Sequence, residues 1–146
     1  MDKLLLCLML IFTGVLIDLF TKRVANEKLI MNYPVKITKR IYFVLLHNKG
    51  AAYGLLKGRK SLLRMLSTLS IMFLLGIFFF ALKAGYSYDF MISLSLVISG
   101  ALGNYLERMT SGYVTDFLYI KFKKFPVFNL ADIYIVAGTI LVFINA

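Results

Sequence analysis

Acidic charge is scarce in this chain. Its 146 residues include seven Asp and Glu against seventeen Lys and Arg, with one His and one Cys. The single cysteine, Cys7, cannot form an intrachain disulfide and, inside an apolar run, reads as a small core residue. The single histidine, His47, has no companion ligands nearby, which argues against a zinc site. No internal repeat or low-complexity linker divides the chain, so one domain over residues 1–146 suffices. Only 16% of residues are charged, 60% are hydrophobic and the mean hydropathy is +0.82, which excludes an ordinary soluble domain. A net charge of +10 would suggest nucleic acid in a soluble protein. Here the Lys and Arg flank apolar runs, so anionic lipid headgroups are the expected partner instead.

What is abundant is hydrocarbon in long runs. Residues 4–21 lie behind Lys3 and resemble a signal-peptide core, but no small-residue cleavage site follows, so the run reads as a first membrane span. Further spans are expected over about 61–82, 89–107 and 128–145. Residues 35–46 break the pattern. Val35, Ile37, Ile41, Phe43 and Leu45 alternate with Lys36, Thr38, Arg40 and Tyr42, which predicts an extended segment with one wet face. The expected fold is an all-α membrane protein of four transmembrane helices, with a small β segment in the first long loop.

A few polar residues resist explanation by hydropathy. Asp18 and Lys22 stand four apart at the end of the first span, where the bland reading is an ion pair at the membrane edge worth a few tenths of a kcal/mol. Asn48 precedes the small-residue stretch Gly50-Ala51-Ala52-Tyr53-Gly54, whose glycines permit tight turns or close approach of backbone to a ligand. Gly100, Gly103, Asn104 and Glu107 form one helical stripe beside Arg108. Asp116 lies in the second long connection. Asn129 is a candidate N-cap for the last span, with Asp132 three residues on as a capping-box partner.

Four spans put both termini on one side and both long connections on the other. Asp18, Asn48, Asn104, Glu107, Arg108, Asp116, Asn129 and Asp132 then emerge at a single membrane face, where buried charge is costly and generally functional. If Asp116 and Asp132 meet there, they cannot both ionise easily and one proton is shared.

Five segments in order carry a resemblance: Asp18-Leu19-Phe20-Thr21-Lys22, Asn48 through Gly54, Gly100 through Arg108, Val114-Thr115-Asp116-Phe117, and Phe125 through Asp132. Together they resemble the bacterial signal peptidase II family, whose members are aspartic endopeptidases of the cytoplasmic membrane. The resemblance implies cleavage of signal peptides from lipid-modified prolipoproteins before the diacylglyceryl-cysteine, without metal or cofactor. It places the catalytic pair on Asp116 and Asp132, with Asp18, Lys22, Asn48, Gly50, Gly54, Asn104, Glu107, Arg108 and Asn129 as substrate-binding or supporting residues. It further implies a monomer with its site at the extracytoplasmic face. The sequence departs from the family pattern at Glu107, where Asp is expected, and at Leu19, where Gln is usual. Ten Lys and Arg in the first long connection point to the opposite orientation by the positive-inside rule, a bias that basic loops meeting anionic lipid outside would override. The alternative is a noncatalytic four-helix membrane protein, a transporter subunit or binding partner that kept the fold.

Overall fold

The structure, a computed structural model, describes residues 2–50, 58–122 and 125–145. Four helices and three strands follow in the order α1 (Lys3–Lys28), β1 (Val35–Lys36), β2 (Ile41–Asn48), α2 (Lys60–Lys83), α3 (Tyr88–Ser111), β3 (Val114–Ile120) and α4 (Leu130–Asn145). Among the described residues, α1, α2 and α3 are long and apolar enough to cross a membrane. The fourth, α4, is equally apolar but has 16 residues. At about 1.5 Å per residue it covers roughly 24 Å, somewhat less than a hydrocarbon core of about 30 Å. Phe12, Phe73 and Phe143 lie on the bundle's outside, each at least 66% exposed, a surface suited to lipid rather than to water.

Helix α3 is the spine, packed against each of the other three helices. Its serines and glycines make this possible by letting backbones approach. A side chain at Gly100 would strike the Ala131 carbonyl of α4, and one at Gly103 would strike the Asp18 carboxylate of α1. Larger side chains fill the other end of the bundle, where Cys7, Phe78, Phe90, Met91, Leu94 and Ile98 form one buried cluster. Ser87 caps the start of α3, its Oγ accepting from the Phe90 N–H at 3.1 Å. Gly112, at φ +77°, ends the helix by donating its N–H to the Arg108 carbonyl at 3.2 Å.

The single extended segment expected over residues 35–46 is instead two antiparallel strands, β1 and β2, parted by a turn at residues 37–40, and the second runs on to Asn48. The second connection was expected to be loop, and here the structure differs. It contributes β3, and the three strands form one antiparallel sheet in the order β1-β2-β3. An isolated two-stranded hairpin is marginal in water and leaves β2 with an open edge, which β3 covers. Leu46 faces Asp116, His47 faces Thr115 and Asn48 faces Val114 across this pair. The chain then turns back, and Phe128 and Leu118 exchange backbone hydrogen bonds at 2.9 and 2.8 Å. That clamp sets the first turn of α4 beside β3.

Candidate active site

The start of α4 shows how the fold delivers its acids. The first N–H groups of any helix lack partners within it. Here Asn129 Oδ1 accepts from the Asp132 N–H at 3.0 Å, while Asp132 Oδ2 accepts from the Asn129 N–H at 3.2 Å. This is the reciprocal capping pair that the spacing predicts. The Ala131 N–H is satisfied from another helix, donating to Asp18 Oδ1 at 2.9 Å.

Capping leaves the Asn129 side-chain nitrogen free to donate elsewhere, and it binds Asp116 Oδ1 at 2.8 Å and Asn104 Oδ1 at 3.1 Å. The other Asp116 oxygen accepts from Asn48 Nδ2 at 3.1 Å. Asp132 Oδ1 accepts from Asn104 Nδ2 at 2.9 Å. Asp116 and Asp132 are therefore bridged by one residue, Asn129, whose side chain holds the first and whose backbone holds the second. Both acids line the same cavity of about 530 Å³. Burial pushes the Asp116 carboxyl up to about 6, and the nearby Asp132 charge adds to this, while the amides of Asn48 and Asn129 oppose it.

Behind the acids is a second layer. Lys22, 2% exposed, pairs with Asp18 at 2.7 Å and with Glu107 at 3.5 Å, and donates to Asn104 Oδ1 at 2.8 Å. An ammonium only donates, so this contact fixes which end of the Asn104 amide faces Asp132. The Asp18–Lys22 pair is thus fully enclosed, and the small energy of an exposed pair does not apply to it. Breaking one side of a buried pair strands a charge and costs several kcal/mol.

Glu107 uses its longer stem to reach β3. Its carboxylate accepts from the Thr115 N–H at 2.9 Å and from the Thr115 hydroxyl at 2.5 Å, immediately beside Asp116. Arg108 lines the cavity with the two acids and donates to Ser67 Oγ of α2 at 3.3 Å. Gly50 donates its N–H to Asn48 Oδ1 at 3.0 Å, setting that amide so that its nitrogen meets Asp116. Gly54 lies outside the described residues, as do residues 51–57 around it.

Several contributors were not anticipated from the sequence. Thr115 anchors Glu107, and Asn26 donates to both Thr115 Oγ1 at 3.0 Å and the Lys22 carbonyl at 2.9 Å. His47 meets Asn26 Oδ1 at 2.7 Å and stacks on Tyr113, the ring centroids 3.9 Å apart. Alternation along β3 gives the missing signal. If Asp116 faces the cavity, Thr115 must face the helices.

The cavity is amphipathic. Asn48, Asn104, Arg108 and the two acids occupy one end, and Ile133, Val136, Ala137 and Ile140 of α4 run away from it as an apolar stripe. Ile133, Val136 and Ile140 are 41%, 60% and 55% exposed, so this wall opens sideways toward lipid.

The architecture is that of a known class of bacterial membrane enzyme. Two solved structures, each described as a bacterial membrane enzyme obtained by the in meso method, superpose with TM-scores of 0.82 and 0.80 at 26% identity. Both cover 94% of this chain, which in turn covers 85% and 90% of theirs. Residues 10–146 match the family described as signal peptidase (SPase) II, and the chain belongs to that family. Relatives include the lipoprotein signal peptidases of Clostridium novyi, 38% identical over 91% of this chain and 91% of the relative, and of Clostridium tetani, 35% identical over 94% and 89%.

Proposed function

We propose that this chain is an intramembrane aspartic endopeptidase that removes signal peptides from lipid-modified prolipoproteins, with Asp116 and Asp132 as its catalytic pair. The observation that carries the reading is the single bridge, Asn129, holding both carboxyls on one cavity. One acid, ionised, takes a proton from a water held between the two. The other, protonated, donates to the scissile carbonyl as the gem-diol intermediate forms. On collapse the first acid passes its proton to the leaving amine while the second regains one from a gem-diol hydroxyl, restoring the singly protonated pair. Arg108 lines the same cavity and supplies fixed positive charge as electron density builds on the carbonyl oxygen ahead of the donated proton. Asn48, Asn104 and Asn129 brace the acids, and Glu107 and Lys22 brace those amides and β3 in turn.

The sideways opening supports a lipid-attached substrate. Acyl chains lie along Ile133, Val136 and Ile140 while the peptide crosses the polar end, so the substrate enters from the bilayer without passing through water. With the bilayer locally thinned around the short α4, all four helices span, the termini are cytoplasmic and the sheet lies at the outer face of the cytoplasmic membrane. Every residue of the proposed site belongs to one chain, so a monomer suffices.

The test is cleavage of a panel of lipidated precursors in proteoliposomes. Asp116→Asn and Asp132→Asn are each expected to lower turnover by at least about 10⁴-fold with the protein still folded, as removing one member of a unit that works together does. Undiminished turnover in either variant rejects the pair. A wild-type protein that cleaves no precursor favours the noncatalytic alternative.

A further inference from the structure

Between Glu27 and Asp89 the sequence has no acidic residue and ten Lys and Arg. The fold concentrates part of that charge at the end of the sheet remote from the acids. The turn joining β1 to β2 is tight, the N–H groups of Ile37 and Thr38 both donating to the Ile41 carbonyl at 3.0 and 3.1 Å. Thr38 Oγ1 accepts from the Ile41 N–H at 3.1 Å, and the Lys121 N–H donates to the Arg40 carbonyl at 2.7 Å. Lys36, Lys39, Arg40 and Lys121 are thereby gathered at one tip, all exposed. Among the described residues none of the four has a carboxylate within ion-pair distance.

The same tip is also greasy. Val35, Ile37 and Ile41 are 40%, 50% and 39% exposed. Apolar side chains interleaved with unneutralised cations on a rigid hairpin suit a boundary where hydrocarbon and phosphate meet. From Ile41 to Asn48 the strand covers about 23 Å at roughly 3.3 Å per residue, so the tip lies far to one side of the cavity.

We infer that this hairpin tip docks on the headgroups of anionic phospholipid, its apolar residues entering the acyl boundary and its Lys and Arg meeting phosphate. The absence of any acid among the four cations selects net-negative over zwitterionic lipid. Seated there, the sheet holds β3, and with it Asp116, at a fixed height over the bilayer. The inference deepens the proposed function by naming the lipid that seats the site, and it rests on that reading only for this last consequence.

The chain has no tryptophan, so Ile37→Trp supplies a sole reporter. The full-length variant is reconstituted in phosphatidylcholine bilayers with phosphatidylglycerol raised from none to about half. The expected result is a blue-shifted emission, quenched by brominated acyl chains, that grows with phosphatidylglycerol and reverses near 1 M salt, where screening acts within about 3 Å. Adding Lys36→Glu, Lys39→Glu and Arg40→Glu is expected to move the docking equilibrium by on the order of 10⁴-fold, since each reversal counts twice a neutralisation, and abolish the response. The corresponding Gln variants should weaken it without introducing repulsion. Equal emission in the two lipids, or an undiminished response in the triple Glu variant, overturns the inference. Cleavage is assayed on the same samples. A lipid response without cleavage rejects the peptidase reading alone, and cleavage without a lipid response rejects docking alone.

Discussion

Replacing Asp116 by Asn should abolish cleavage and, above pH 6, make the protein more stable. The wild-type carboxyl is carried from its ordinary 3.8 to about 6 by burial and by Asp132. Below 3.8 it is protonated both folded and unfolded, and ionisation has no bearing on stability. Between 3.8 and 6 the unfolded chain ionises while the folded one stays protonated, so stability falls as pH rises, reaching a loss of about 3 kcal/mol above pH 6. The amide cannot ionise and escapes this loss. It has one oxygen for the two donors, Asn48 and Asn129, and the sacrificed hydrogen bond costs about 1 kcal/mol. The variant should therefore be about 1 kcal/mol less stable than wild type near pH 3.5 and about 2 kcal/mol more stable at pH 8. Reversible unfolding in mixed micelles across this pH range measures that change, and titrating groups remote from Asp116 cancel in the difference. A difference that stays flat to within about 1 kcal/mol would refute the raised Asp116 carboxyl on which the shared proton depends.

Further substitutions separate support from chemistry. Asn129→Ser keeps an oxygen for the Asp132 N–H but loses the amide donors to Asp116 and Asn104. Stability should fall by about 1–3 kcal/mol, with the protein still folded, while precursor turnover falls about 10²-fold or more. Thr115→Val preserves shape and removes the hydroxyl bound to Glu107, and denaturant titration should show a loss of about 1–3 kcal/mol. Lys22→Met strands the buried Asp18 and Glu107 carboxylates and should cost about 3–5 kcal/mol. Asp18→Asn in the same chain should recover part of that loss, since the uncompensated charge rather than the missing contact dominates.

Much of the helical frame and nearly all of the polar set were legible in the sequence, because a charge or amide at the end of an apolar run stands out against hydrocarbon. Asn129 and Asp132 are an example, since their spacing alone predicts the reciprocal cap that the structure contains. What could not be read depends on register between distant segments. The i,i+4 spacing of Asp18 and Lys22 predicts their pairing. It does not reveal that Asp18 also caps α4 more than a hundred residues later, or that Gly103 makes room for its buried carboxylate. Strand β3 was missed because its residues are apolar or aromatic on both faces, with Asp116 and Thr115 pointing opposite ways, so no clean alternation marks it. Glu107, which looked like a disturbance at the site, instead reaches Thr115, a contact visible only once β3 is placed.

The backbone exchange between Phe128 and Leu118 has a consequence for engineering. It closes a loop at its neck, so Phe125, Pro126 and Val127, which line the cavity, hang from a fastened base. Additions or swaps within that loop should remodel the rim that greets an incoming precursor, leaving the spacing of the two acids as it was. Selectivity can then drift through this stretch over time, or be redesigned there, without reassembling the machinery beneath.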